Sequence, residues 1–273
     1  MVKVKISAVL PIAQYQDIRP EYEVEAETYE QAEAIAMARI ESLNDRYGSK
    51  PISKSQGFVI LGTFTGEQIK YNEKAHAYTT LDNLPLLSGS AYARQFEKPF
   101  PKEMILPKME AKYGVPAETI DQIWTANGNN SMAFGTVIHS AMENYYRFKE
   151  FGCAEKEYHL PKHPILRLAV DSFPLKDSNV IPEVLLSDVG SRFVGRADGI
   201  IVMDEKKKVC AIIDYKSNTD ITKDLEKYFK QLEFYAEILK RKGWKVEALG
   251  IWNYTTEWTC HKETEWEFVE PNT

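Results

Sequence analysis

The sequence predicts an α/β protein in which a mixed central β-sheet is flanked by helices and a small α+β domain lies at the N-terminus. After residue 130 the pattern runs helix, three strands, helix, strand, which suggests a mixed sheet with helices on its faces. The first 70 residues have an element order of their own, and the sequence pattern changes near Tyr71. We therefore predict a domain of unknown role over residues 1–70 and a second domain over residues 71–273.

The N-terminal domain is predicted from alternating and helical patterns. Residues 3–10 alternate well enough to form a strand, and "EYEVEAE" and "GFVILGTF" indicate two more. Between them, residues 28–48 carry one apolar stripe at helical spacing, and Thr28 with Gln31 fits a capping box. These patterns predict a small α+β unit.

The second domain begins with short helices and loops, because Pro, Gly and Ser punctuate residues 71–110. Two short helical pieces precede a longer helix, which is predicted from about Ser131. Three strands follow, in "PEVLLSD", "FVGRADGIIVMD" and "KVCAIIDYKS". The stretch "TKDLEKYFKQLEFYAEILKRKG" predicts an amphipathic helix, and "VEALGIWNYT" a further strand.

Composition limits the classes of function. Hydrophobic residues make up 44% of the 273 positions, which is enough for a large core, and the net charge of −6 lacks the overall basic character of many nucleic-acid-binding proteins. Without a run of 18 apolar residues, we expect no membrane span. The three cysteines, Cys153, Cys210 and Cys260, form no CxxC pair and suit a reducing cytoplasm.

Two acids and an amine stand at the ends of two apolar strands. Asp214 and Lys216 are two residues apart, so they point to the same face of a strand. A hairpin centred on Lys206 would put Asp198 directly opposite Asp214, with Cβ atoms about 5 Å apart. Such carboxylates repel unless a cation lies between them, and a hard ion such as Mg²⁺ fits oxygen ligands. A second interpretation stays open, in which each acid is solvated or salt-bridged, Asp214 to Lys216 for example.

The "GRAD…DYK" stretch resembles the PD-(D/E)XK nuclease superfamily, on its RecB-like and lambda-exonuclease-like side. "GTVIH", ending at His139, looks like the G-x-x-x-H helix motif of that branch, and "QLEFY" looks like its Q-x-x-x-Y motif. Glu183 stands where many relatives carry an acid ahead of the G-x-x-D strand. The upstream "HAY…LSGSAYARQF…W" is also similar, so that the resemblance covers residues 75–260 but not the N-terminal domain.

The resemblance implies a restriction-endonuclease-like core and a metal-dependent exonuclease that hydrolyses DNA from its ends. It implies Mg²⁺ or Mn²⁺ as cofactor, DNA that is single-stranded or has free ends as partner, and a role in phage or bacterial replication, recombination or repair, with a protein of those pathways as a further possible partner. A structure-specific or restriction-like endonuclease, and a catalytically silent DNA-binding or assembly protein, are the alternatives. Relatives with an iron–sulfur cluster need four cysteines, so three scattered ones predict no cluster.

The resemblance also assigns roles to residues. The metal ligands would be His139, Glu183, Asp198, Asp214 and the backbone carbonyl of Tyr215. Lys216 would stabilise charge at phosphorus, while Gln231 and Tyr235, one helical turn apart, would contact a phosphate, a base or a water molecule. Lys216, Gln231 and Tyr235 form the predicted catalytic set together with Asp198 and Asp214. By residue type alone, His139 and Tyr235 could equally be core residues, and Glu183 a strand-end acid.

Overall fold

The computed structural model describes residues 2–7, 10–13, 16–18, 21–26, 31, 54–55, 58–97, 100–150 and 163–271. Within them the protein is mixed α/β, with a multi-stranded mixed sheet, flanking helices and small N-terminal sheets, so the predicted fold class is confirmed. The predicted helix over 28–48 lies outside the described residues except for Gln31, and Cys153 lies outside them as well.

The N-terminal strands form small antiparallel sheets. The first two are the pairs β1 (Val2–Ser7) with β4 (Glu21–Ala26), and β2 (Leu10–Ala13) with β3 (Gln16–Ile18). A four-stranded sheet follows, in the order β5 (Lys54–Ser55), β6 (Phe58–Gly62), β7 (Gln68–Asn72) and β8 (Ala77–Thr79). The predicted strand over 3–10 is thus β1, which ends at Ser7.

The main sheet has six strands. Its order is β10 (Val180–Asp188), β11 (Phe193–Asp204), β12 (Val209–Lys216), β13 (Lys245–Tyr254) and β14 (Trp258–Glu263), with the short β9 (Leu87–Ser88) beside β11. β11 and β12 form an antiparallel hairpin, whereas β12 and β13 are parallel and are joined through a helix. This combination makes the sheet mixed, because parallel neighbours need a crossover while antiparallel ones need only a turn.

The described helices are α1 (Gly89–Ala93), α2 (Lys102–Tyr113), α3 (Ala117–Glu150), α4 (Pro164–Asp171) and α5 (Leu225–Arg241). Gly114 ends α2 with a φ of 65°, the left-handed conformation that glycine adopts without strain. The helix predicted from Ser131 instead begins at Ala117. The second of the two short predicted pieces and the longer predicted helix therefore form one continuous helix. Asn and Gly weaken a helix without breaking it, and the hydroxyl of Ser131 bonds back to the carbonyl of Asn127 at 3.0 Å.

The chain divides into two compact units: residues 1–89 with 184–196 and 237–244, and residues 90–183 with 197–236 and 245–273. The first unit has a core of Leu61, Ile69, Leu86, Leu185 and Val194. In the second, buried residues of α3 pack on β12: Ala141, Met142, Tyr145 and Tyr146 against Ile213 and Tyr215. Every predicted site residue belongs to the second unit. The predicted boundary between residues 70 and 71 stays a prediction.

Across the described residues, none of the helices combines the length and the apolar character that crossing a bilayer would require.

Candidate metal centre

The β11–β12 hairpin has the register that the sequence predicts. Gly199 pairs with Ile213 and Ile200 with Ile212, so the next residues outward, Asp198 and Asp214, stand at the same end of the two strands. The backbone N–H of Tyr215 donates to Oδ2 of Asp198 at 2.7 Å, which ties the carboxylate to the neighbouring strand. The hairpin therefore brings both acids to one edge of the core.

Three predicted ligands come together at this edge. His139 from α3, Glu183 from β10 and Asp198 from β11 each offer a ligand atom, and these atoms lie within 4.8 Å of one another. Nδ1 of His139 is 3.2 Å from Oδ2 of Asp198. Glu183 has a φ of 51°, an uncommon conformation for a residue other than glycine, and such backbone outliers concentrate at functional sites. The helix and two strands thus converge on one cluster.

Asp214 has a different partner. Asp214 is 4% exposed, and its Oδ2 pairs with the ammonium of Lys216. Lys216 also donates to the carbonyl oxygen of Tyr215 at 3.3 Å. The ion pair that the sequence left open is therefore present, and Asp214 is not among the three clustered ligands. Lys216 contacts both of the remaining predicted ligands, Asp214 and the Tyr215 carbonyl.

Neighbouring charges shift the pKa values of His139 and Asp198 in opposite directions. Burial by itself would lower the pKa of His139, but the adjacent Asp198 carboxylate outweighs it and raises that pKa to about 9. Burial by itself would raise the pKa of Asp198, but the imidazolium and the ammonium of Lys216 lower it to about 2. At neutral pH, His139 and Asp198 therefore form an ion pair.

The pKa of the second acid, Asp214, is raised instead of lowered. Burial raises the pKa of Asp214 to about 6, and Asp198 adds to that shift, although Lys216 opposes it. Burial would lower the pKa of Lys216, but the two carboxylates more than compensate, so its pKa is raised. Lys216 therefore carries its charge at neutral pH.

A cavity of about 880 Å³ opens on this cluster. His139, Glu183 and Lys216 line it, together with polar residues of α3 and of the loop after β12: Ser131, Thr136, Ser140, Glu143, Ser217, Asn218, Thr219 and Asp220. Glu143 accepts a hydrogen bond from Nε of Arg147 at 2.9 Å. The volume is that of a small-ligand site.

Gln231 and Tyr235 are bonded to each other. Nε2 of Gln231 donates to the hydroxyl of Tyr235 at 2.7 Å, and Tyr235 is buried. Neither residue is among those that line the cavity, and their roles at the site stay predictions. Tyr228, three residues before Gln231 on the same helix, does line it.

Sequence reasoning missed three residues near Lys216, namely Asn218, Tyr228 and Asn253. The side chain of Asn218 donates to the hydroxyl of Tyr228 at 2.8 Å, and Asn253 bonds to the backbone of Asn218. The position of Tyr228 one turn before the "QLEFY" motif was an available signal, whereas Asn253 had none in the sequence.

The donor set fits a divalent cation. Ligand atoms of one such ion lie within about 4.2 Å of each other when each is about 2.1 Å from the ion, close to the 4.8 Å span of this cluster. Two carboxylates favour Mg²⁺ or Mn²⁺, and an imidazole is better suited to the transition metal of the two. A cation here would take the place of the His139 proton, since a metal ligand must be unprotonated.

No protein-family model matches the chain, and a search of curated proteins gives no match either.

Proposed function

We propose that the protein is a metal-dependent exonuclease that hydrolyses phosphodiester bonds from DNA ends. One observation carries the proposal: His139 and Glu183, whose ligand atoms cluster with that of Asp198, line the same cavity as Lys216. Ligands for a divalent cation next to a fixed positive charge suit the hydrolysis of a phosphodiester. The resemblance of "GRAD…DYK" to the PD-(D/E)XK pattern supports the same activity.

The residues of the site would have three separate roles. His139, Glu183 and Asp198 would hold the ion, which supplies Lewis-acid chemistry by lowering the pKa of a water molecule and neutralising the scissile phosphate. Lys216, charged and at the cavity wall, would stabilise the negative charge that develops on the phosphate oxygens. Asp214 keeps that ammonium at the edge of the core.

A digest of end-labelled single- and double-stranded oligonucleotides tests the activity. We expect short labelled products with Mg²⁺ or Mn²⁺ and none with a chelator, and a closed circular DNA should stay intact because it has no end. Cleavage of the circle would favour the endonuclease alternative. Binding of DNA without cleavage under any of these conditions would favour the silent binding protein.

Substitution of the acids tests the site. Asp198→Asn and Asp214→Ala should each reduce the cleavage rate at least about 100-fold, because each removes a charge from the site, while the far-ultraviolet circular dichroism stays unchanged. Asp204→Asn, on the same strand β11 but in the hairpin turn, is the matched control and should cleave like the wild type. Full activity in Asp198→Asn would refute the proposed site.

A further inference from the structure

The loop after β12 is held by a side chain on the neighbouring strand. Asn253 stands opposite Lys216 in the parallel β12–β13 ladder and is 5% exposed. Its Oδ1 accepts from the N–H of Asn218 at 2.9 Å, and its Nδ2 donates to the carbonyl of Asn218 at 2.9 Å. The amide thus takes the place of one more backbone unit in the ladder, which fixes the chain two residues beyond Lys216.

The same loop lies close to helix α3. A Cβ atom added to Gly135 would be 3.1 Å from Oγ of Ser217, a separation that is tighter than ordinary van der Waals contact. Glycine at this position therefore lets the loop approach the helix that carries His139. With Asn253 on one side and α3 on the other, the backbone of residues 217–218 is confined.

Asn218 in turn orients an aromatic ring. Its Nδ2 donates to the hydroxyl of Tyr228 on α5 at 2.8 Å, and the Tyr228 ring centroid is 4.8 Å from Nζ of Lys216. That distance is within the range of a cation–π interaction. A second ammonium, that of Lys227, is 5.2 Å from the same ring but pairs with Oε1 of Glu97 at 3.3 Å.

Lys216 therefore has two kinds of partner. The Asp214 carboxylate neutralises its charge, whereas the face of Tyr228 attracts the ammonium without contributing an opposite charge. A phosphate is best stabilised by an ammonium that retains its charge and has N–H groups free to donate. A ring that attracts the ammonium without neutralising it would meet that need.

We propose that Tyr228, fixed through Asn218 and Asn253, is a positioning residue that holds the Lys216 ammonium at the cavity for a substrate phosphate. The inference rests on the proposed function for its purpose, but the contact itself is independent of it. Tyr228 acts through Lys216 and need not touch the substrate. Tyr228→Phe keeps the ring, whereas Tyr228→Leu removes it.

The contact can be measured without any activity. In protein labelled with ¹³C-lysine, the Cε–Hε signal of Lys216, assigned by its loss in Lys216→Arg, should be shifted by the ring current of Tyr228. We expect the shift to persist in Tyr228→Phe, to disappear in Tyr228→Leu and to be reduced in Asn253→Asp, which loses the donor to the Asn218 carbonyl. An unshifted wild-type signal, or one unchanged in Tyr228→Leu, overturns the proposal.

Kinetics test the role of that contact. Tyr228→Leu should lower kcat about 10-fold with KM unchanged, the size expected for loss of a cation–π interaction that acts on the transition state, and Tyr228→Phe should restore most of it. Tyr113→Leu is the matched control, because Tyr113 is exposed and its ring is 4.9 Å from Nζ of Lys112. It should leave kcat and the Lys216 signal unchanged.

The two proposals fail in different ways. If the wild type cleaves no DNA under any of the conditions above, the nuclease assignment is refuted, and the lysine signal still decides whether Tyr228 holds Lys216. If the wild type cleaves and the signal is shifted, but Tyr228→Leu retains full kcat, the positioning role is refuted while the nuclease assignment stands.

Discussion

The hydroxyl of Tyr215 is buried, and no hydrogen-bond partner is found for it among the described residues. A buried polar group without a partner costs about 1–3 kcal/mol. Tyr215→Phe should therefore leave the free energy of unfolding unchanged or raise it by about 1 kcal/mol, because the ring keeps its packing on Phe173 and Trp258. Urea unfolding followed by fluorescence measures this change.

Tyr146 is the matched control in the same hydrophobic cluster. Its hydroxyl donates to the carbonyl of Leu175 at 2.6 Å, so Tyr146→Phe should lower the free energy of unfolding by about 1 kcal/mol. A larger loss in Tyr215→Phe than in Tyr146→Phe would mean that the Tyr215 hydroxyl has a stabilising partner.

Asp188 makes stability depend on pH. Burial by itself would raise the pKa of Asp188, but hydrogen bonds from Ser191 and Lys242 and the charge of Lys242 lower it below its usual range. A lowered folded-state pKa means stabilisation that is present above the ordinary carboxyl range and is lost as the pH falls through the lowered pKa. Asp188→Asn should thus be less stable than the wild type at pH 7, by about 1–3 kcal/mol, and the difference should shrink in acid.

Urea unfolding between pH 7 and pH 2 measures that difference. Asp82→Asn removes the same charge at an exposed position and should show no comparable loss at pH 7. A constant difference between Asp188→Asn and the wild type across the whole range would contradict the expected role of the carboxylate charge.

At the scale of elements, β11 approaches its neighbours too closely for any side chain at Gly199. A Cβ atom there would be 2.7 Å from Cγ1 of Ile213 and 2.8 Å from Cγ1 of Val180. Gly199→Ala should therefore lower the free energy of unfolding by about 1–3 kcal/mol, the usual effect of overpacking a core. Because Gly199 adjoins Asp198, a shift of the strand should also weaken Mn²⁺ binding, which calorimetry can follow.

Gly250 on β13 provides the comparison within the same sheet. A Cβ atom at Gly250 would meet its nearest neighbour, Nε1 of Trp252, at 3.4 Å, an ordinary contact. Gly250→Ala should keep or slightly raise stability, since alanine lowers the entropy of the unfolded chain. Equal losses in both variants would show that the effect comes from the residue type and not from crowding at Gly199.

At the scale of the whole molecule, the sequence predicted the features that depend on residues close together in the chain. Apolar strands interrupted by the turn DEKKK predicted both the β11–β12 hairpin and its register, because the side-chain alternation and the turn length leave few alternatives. The amphipathic stripe likewise predicted α5. Helix ends were harder to predict from the sequence. Weak helix formers near Asn127 suggested a break that α3 does not have.

The sequence by itself determined the α/β class, the hairpin and the presence of two acids and an amine at its end. Only the tertiary structure decided that Asp198 pairs with His139 and that Lys216 lies beside Tyr228, and it selected the Asp214–Lys216 ion pair that the sequence had left open. Ion pairing and metal binding depend on distances of a few ångströms between distant parts of the chain. Such distances are set by how α3, β10 and α5 pack, and no spacing along the sequence encodes them.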